Sequence, residues 1–246
     1  MKLKSSKKFL RLLINSMHAI LGESEVRAMR IRTATMEENR METYTEKERM
    51  AKGLIYNPNA SEITEEQSVY MEKLWEFNQL RPAEYEQKQR YMKQTFAECG
   101  EECYIELPFY ANWGGKNLHF GNKVYANFNL TVVDDGEIFV GDKVMFGPNV
   151  TIATANHPID PSLRENAMQY NKTVHIGENV WIGAGTIIVP GVTIGKNSVI
   201  GAGSVVVKDI PDNVVAVGNP CRVLRKIGEH DHEFFYKNEK IDWENL

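Results

Sequence analysis

The chain has 246 residues, 42% hydrophobic and 25% charged, a globular composition with enough apolar surface for one large core and a small appendage. Its formal net charge of −4 gives no polyanion-binding footprint, which excludes nucleic acid as an expected partner. Three cysteines, Cys99, Cys103 and Cys221, with no CxxC pair, argue against a disulfide framework or a cysteine zinc site and fit a reducing cytoplasm.

Residues 1–44 form an extension. The opening "MKLKSSKKFLRLLINSMHAILG" has the look of a signal peptide, but Arg11, Asn15 and His18 interrupt its apolar run and no small-x-small cleavage site follows. Leu10, Leu13, Ile14, Met17 and Leu21 fall instead at amphipathic-helix spacing. A basic amphipathic helix can lie on a membrane surface, but packing on the domain or on a neighbour is the preferred reading. No stretch reaches the ~18 apolar residues of a membrane span.

Residues 45–105 read as a helical layer rather than an independent core. Thr45-Glu46-Lys47-Glu48 and Thr64-Glu65-Glu66-Gln67 both match the capping-box pattern. The second is expected to open a helix through Met71, Leu74, Trp75 and Phe77 that ends near Arg81-Pro82. A third follows Pro82, carries Tyr85, Met92 and Phe96, and stops at Gly100.

Residues 106–227 keep a different metre. Ile176, Ile182, Ile188, Ile194, Ile200 and Val206 recur every six residues, mostly followed by glycine. Four residues after each come Val180, Thr186, Val192, Ser198, Ser204 and Ile210, and Phe120-Gly121, Val140-Gly141 and Phe146-Gly147 are upstream fragments of the same period. Neither a 3.6-residue helix nor a two-residue strand alternation yields a strict six. A hexapeptide repeat does: each unit is one short strand and a turn, and stacked coils bury the repeated aliphatic. The expected fold is therefore mainly β, a parallel β-helix. Its coil ends need caps, and the helical segment and the tail, residues 228–246, are the candidates.

The metre breaks once, over residues 154–173, within "NVTIATANHPIDPSLREN", and the break carries His157. Functional residues concentrate on loops held by rigid scaffolds. An unperturbed imidazole is mostly neutral at pH 7 and suits the task of a base.

The hexapeptide run, "YANFNLTVVDD", "NHPID", "NVWIGAG" and "IGAGSVVVKDIPDNVVAVGNPCRVLRKI", together with "TEKERMAKGLIYNP", closely resembles galactoside and maltose O-acetyltransferases of the hexapeptide-repeat superfamily. The likeness runs from about Thr45 to about Ile241. It implies a left-handed parallel β-helix, a homotrimer with active sites between subunits, acetyl-CoA as donor, a sugar hydroxyl, the 6-OH, as acceptor, and no required metal. By the same resemblance His157 is the general base, and Asn127 stands near the scissile carbonyl, where it can hold an oxyanion. Tyr125, Asp135, Asn57 and Asn112 fall at acceptor positions. Trp181, Ala184, Ala202, Val207, Lys208, Arg222 and Arg225 fall at positions that meet CoA. Two departures bear on the acceptor: Asn57 stands where the family usually has Asp, and Gln169 where maltose-type members often have Glu. On the donor side Val207 stands where threonine is common, a change that a backbone contact survives and a hydroxyl contact does not.

Other readings remain open at this point. Related hexapeptide enzymes acetylate antibiotics. Zinc hydratases on β-helices use three histidines, and His119, His157 and His175 are available, although the close spacing within one coil that such sites need is missing. A covalent acetyl-enzyme on Cys221 is a further alternative, set against a packed cysteine.

Overall fold

A computed structural model describes residues 44–246; the expected amphipathic helix and its membrane alternative lie outside the described residues. Three helices come first: α1 (Glu46–Ala51), α2 (Ser61–Asn78) and α3 (Tyr85–Thr95). Thr45 forms the expected capping box with Glu48. Thr64 does not cap. The Asn57 side chain accepts from the Asn59 N–H at 3.0 Å and turns the chain so that α2 starts early, at Ser61. The Thr64 hydroxyl is left inside the helix, facing the Ala60 carbonyl. The third helix also ends before Gly100, with Phe96 already extended.

The chain then winds into a parallel β-helix with three faces. The first face stacks β1 (Glu98–Cys99), β4 (Leu118–Phe120), β7 (Ile138–Val140), β12 (Val174–Ile176) and β15 (Thr193–Ile194). The second stacks β2 (Tyr104–Ile105), β5 (Tyr125–Ala126), β8 (Met145–Phe146), β13 (Trp181–Ile182), β16 (Val199–Ile200) and β18 (Val214–Val217), and β19 (Arg222–Lys226) adds antiparallel at its edge. The third stacks β3 (Tyr110–Ala111), β6 (Thr131–Val133), β9 (Thr151–Ala153), β14 (Ile187–Ile188) and β17 (Val205–Val206). Since β1 and β2 already pair into these faces, the solenoid begins at Glu98, inside the segment read as helical.

The six-residue metre is the geometry of this winding. Each coil contributes one short strand to each face, and the marker aliphatics point inward: Ile176, Ile182, Ile188, Ile194, Ile200 and Val206 are all buried. Polar residues at inward positions bond to nearby carbonyls, as Thr186 Oγ1 does to the Gly183 carbonyl (2.8 Å) and Ser198 Oγ to that of Pro211 (2.8 Å). At the N-terminal end Leu74, Phe77, Met92 and Phe96 join the solenoid core, with Phe96 set edge-on to Phe120 at 5.4 Å. That apolar plug covers the first coil.

The excursion is visible in the register. Ile188 pairs with Val206 on one side and with Ile152 on the other, and the second step spans twice the sequence of the first. The extra chain leaves after β9, runs out as β10 (Ala155–Asn156), makes the short helix α4 (Pro161–Arg164) and returns as β11 (Tyr170–Asn171), antiparallel to β10. The C-terminal tail holds α5 (Glu229–Glu233) and the hairpin β20 (Phe234–Tyr236) and β21 (Glu239–Lys240). Among the described residues no helix is long and apolar enough to cross a membrane.

Candidate active site

The sequence-predicted residues gather at two corners of the solenoid, on opposite edges of the third face. The first is the corner entering that face. Asn127 follows β5 there, its N–H bonded to the Phe146 carbonyl at 3.0 Å, and Gly147 and Gly183 occupy the same place in later coils. A Cβ on Gly183 would lie 2.5 Å from the Ala202 nitrogen, so only glycine lets the next coil descend. Small side chains therefore stack at this corner, Ala184 beneath Ala202, and the adjoining Gly185 and Gly203 face open space, with nothing within 4 Å of a Cβ placed there. Asn127 Oδ1 accepts from the Phe128 N–H (2.8 Å), and its amide nitrogen has no partner among the described residues.

Beside this corner the second face presents Tyr125, Met145, Trp181 and Val199 as one outward column. Trp181 is 52% exposed and Met145 48%. Tyr125 is half-buried, its ring stacked on Tyr104 at 6.4 Å. Arg222 lies on β19 opposite Val217, which packs beside Gly201, and is exposed. Arg225 makes two 2.7 Å bonds to the Asp231 carboxylate, and that guanidinium, with the Gly228 N–H, holds the Asp231 carboxyl down at about 2.

The second corner is where the third face ends and the excursion begins. His157 is exposed on the outgoing arm, and its Nδ1 lies 2.8 Å from the Met168 carbonyl oxygen on the returning arm. A carbonyl can only accept, so Nδ1 carries a proton, and the neutral ring offers the Nε2 lone pair. Asp135 sits at the same corner, buried, accepting from Asn112 Nδ2 at 2.9 Å and Trp113 Nε1 at 3.4 Å. Its neighbour Asp134 accepts from the Trp113 and Gly115 N–H groups at 2.8 and 3.0 Å, and burial pushes its carboxyl up to about 6. A cavity of about 160 Å³ opens beside Asp135, between α1 and the corner, lined among others by Lys47, Met50, Trp113, Lys116 and Asn171.

Val207 and Lys208 follow β17 on this second corner, both exposed. Asn57 is near the excursion in another sense: its neighbour Tyr56 pairs backbone-to-backbone with Gln169. Its own Oδ1 is taken up by the Asn59 turn. Tyr56 and Asn171 are residues the sequence did not single out. Both are buried, and the Tyr56 hydroxyl donates to Asn171 Oδ1 at 3.2 Å across 115 positions of chain. No periodicity or local motif encodes such a bond.

The three histidines do not converge. His119 and His175 stack on either side of Phe139 along the first face, at 4.2 and 5.0 Å, while His157 Nδ1 is engaged by Met168. Among the described residues no group of three or more His, Cys, Asp or Glu is placed to hold a metal ion. Cys221 is buried, with burial the main influence raising its thiol, the opposite of what an activated nucleophile needs.

Known proteins share this arrangement of cap and coil. The family description "Maltose acetyltransferase hexapeptide capping motif" matches residues 49–100, and "Bacterial transferase hexapeptide (six repeats)" matches residues 173–208. A galactoside O-acetyltransferase of Lactococcus lactis is 55% identical over 76% of this chain and 91% of its own length. One from Escherichia coli is 44% identical over 79% of this chain and 96% of its own. A solved galactoside acetyltransferase in complex with coenzyme A superposes with a TM-score of 0.77 at 43% identity, covering 81% of this chain and all of that one. A maltose O-acetyltransferase from Clostridium difficile 630 superposes with a TM-score of 0.73 at 45% identity, covering 75% and 98%.

Proposed function

The chain belongs to the galactoside O-acetyltransferase family of hexapeptide-repeat acyltransferases, and on that premise we propose that His157 acts as general base in direct acetyl transfer to a sugar hydroxyl. The enzyme is an acetyl-CoA-dependent O-acetyltransferase. The observation that carries the finer reading is the bond from His157 Nδ1–H to the Met168 carbonyl, which turns a lone pair outward on Nε2.

Nε2 takes the proton of the acceptor hydroxyl as its oxygen attacks the thioester carbonyl. The carbonyl oxygen becomes an oxyanion, for which the unpartnered Asn127 amide is the apt donor. Collapse breaks the carbon–sulfur bond, and the imidazolium returns its proton to the departing CoA thiolate. General-base help of this kind is worth ~10²–10⁴ in rate. The Asp135 carboxylate has further lone pairs beyond those used by Asn112 and Trp113, and these suit sugar hydroxyls. Tyr125, Asn112 and the turn at Asn57 complete the acceptor side.

On the donor side the small side chains of Ala184 and Ala202, flanked by Trp181, suit close approach of an extended pantetheine arm, and Lys208, Arg222 and the backbone at Val207 suit its phosphate end. Arg225 reaches an anion only by giving up Asp231. The two corners belong together only if neighbouring chains supply them. Within one chain Asn127 and His157 are divided by the width of the third face, whereas a reacting atom must lie within ~3 Å of both groups. A cyclic homotrimer with its sites between subunits brings one chain's first corner to the next chain's second.

The acceptor proposed is a galactoside, glucose or maltose type of sugar carrying a free 6-OH. A panel of sugars, their 6-deoxy analogues and xenobiotics, read by thiol release, tests it. Turnover on the sugars and its loss on the 6-deoxy analogues is expected. Equal turnover on a 6-deoxy sugar, or preference for a xenobiotic, overturns the acceptor assignment.

A further inference from the structure

The peptide unit joining Met168 to Gln169 has partners on both sides. Its carbonyl accepts from His157 Nδ1 at 2.8 Å, and its N–H donates to the Tyr56 carbonyl at 2.9 Å. A peptide is planar, so whatever fixes its N–H also fixes the direction of its C=O. The Tyr56 N–H returns a 2.8 Å bond to the Gln169 carbonyl, closing the bridge.

The phenol of Tyr56 ties this bridge to the acceptor corner. Gln169 Nε2 donates to Tyr56 Oη at 2.5 Å, Tyr56 Oη–H donates to Asn171 Oδ1 at 3.2 Å, and Asn171 Nδ2 donates to the Asp135 carbonyl at 2.8 Å. Every donor in this chain meets an acceptor, and all four residues are buried. Burial, reinforced by the charge of Asp135, pushes the phenol well above its ordinary range, so it stays a neutral donor at working pH.

We propose that Tyr56 is a positioning residue: its phenol locks the returning arm of the excursion to the Asp135 corner, and so holds the Met168 carbonyl that fixes His157 as the Nδ1–H tautomer. This rests on the reading of His157 as base and adds a residue from the N-terminal cap to the reaction. A half-satisfied buried network loses its directional hold. With the phenol removed, the Gln169 and Asn171 amides lose their common partner, and only the two backbone bonds to Tyr56 are left to hold the peptide plane, which loosens the Met168 carbonyl.

The test is Tyr56→Phe, which keeps the buried ring, with Gln169→Met as a second variant of similar length that lacks the amide. Both are measured for kcat, for KM of acetyl-CoA, for melting temperature, and by nitrogen NMR of the His157 ring, assigned by difference from His157→Ala. The expected result is a fall in kcat of about 5- to 100-fold, the range for a sub-ångström to 1 Å misplacement. KM for acetyl-CoA should stay within twofold, and the His157 ring should lose its fixed Nδ1–H state. The double variant should be no slower than the worse single one, because both break one network. The proposal is overturned by unchanged kcat, by a kcat loss with the tautomer intact, or by a loss that follows unfolding or a raised KM. If His157→Ala itself keeps full activity, the base assignment fails instead, and the Tyr56 NMR result still reports whether the tautomer depends on the phenol.

Discussion

Mixing two damaged chains should restore activity, and the amount follows from the fold. Asn127 stands on the corner before β6, and His157 lies just past the end of β9, both strands of the third face. A three-residue strand at about 3.3 Å per residue, plus the corner residues, separates them by on the order of 15 Å. A site needing both must draw them from different chains. Asn127→Ala is expected to cost ~10² in kcat through the oxyanion, and His157→Ala ~10²–10⁴ through the base. Each variant alone should therefore run at about 1% or less. In trimers assembled at random from equal amounts of the two, a site is intact when both of its halves come from undamaged corners, which happens for about one site in four. Activity near 25% of the wild type is the expected outcome, measured as thiol release after co-refolding, with trimer mixing verified by native mass spectrometry. Activity no higher than the mean of the parents, in trimers shown to be mixed, would refute the composite site.

Two further outcomes follow. Asp134 holds its proton up to about pH 6 in the folded chain because it is buried, against an ordinary value of 3.8. The folded state thus binds more protons than the unfolded state between about pH 4 and pH 6. Its contribution is fully present below the unfolded value and declines as pH rises through that window, by roughly 3 kcal/mol for two units. Urea unfolding of the wild type and Asp134→Asn across that range should show a shallower decline in the variant; parallel curves would sink the assignment. At the corner proposed to carry the donor, Ala202→Trp projects a ring from an exposed position. In trimers verified by native mass spectrometry it should raise KM for acetyl-CoA at least tenfold, and an unaltered KM in such trimers would remove Ala202 from the donor path.

The solenoid was legible because its inward positions repeat: a strict six is the direct imprint of coil, face and turn on the chain. It was less legible upstream, where Ala126 pairs with Phe146 twenty positions on, against eighteen from Ile182 to Ile200. Those longer coils blur the period, which is why the first strands were read as part of the helical segment. The start of α2 departs from the sequence pattern because a side-chain turn at Asn57 sets it, and the matching Thr-x-x-Gln pattern three residues inside has no part in it. His157 and Asn127 stand out in sequence, one by its break in metre and both by a motif. The Tyr56 network does not, since its partners are joined only by the folding back of the excursion onto the cap. The placement of Asn127 and His157 at opposite edges of the third face is likewise set by the winding and not by any local pattern.

The central claim is that His157 is the base in acetyl transfer from acetyl-CoA to a sugar hydroxyl. The most direct measurement is single-turnover thiol release by wild type and His157→Ala with acetyl-CoA and a galactoside, at saturating donor. The account predicts a fall of ~10²–10⁴ with acetyl-CoA binding retained; release within tenfold of wild type would contradict it.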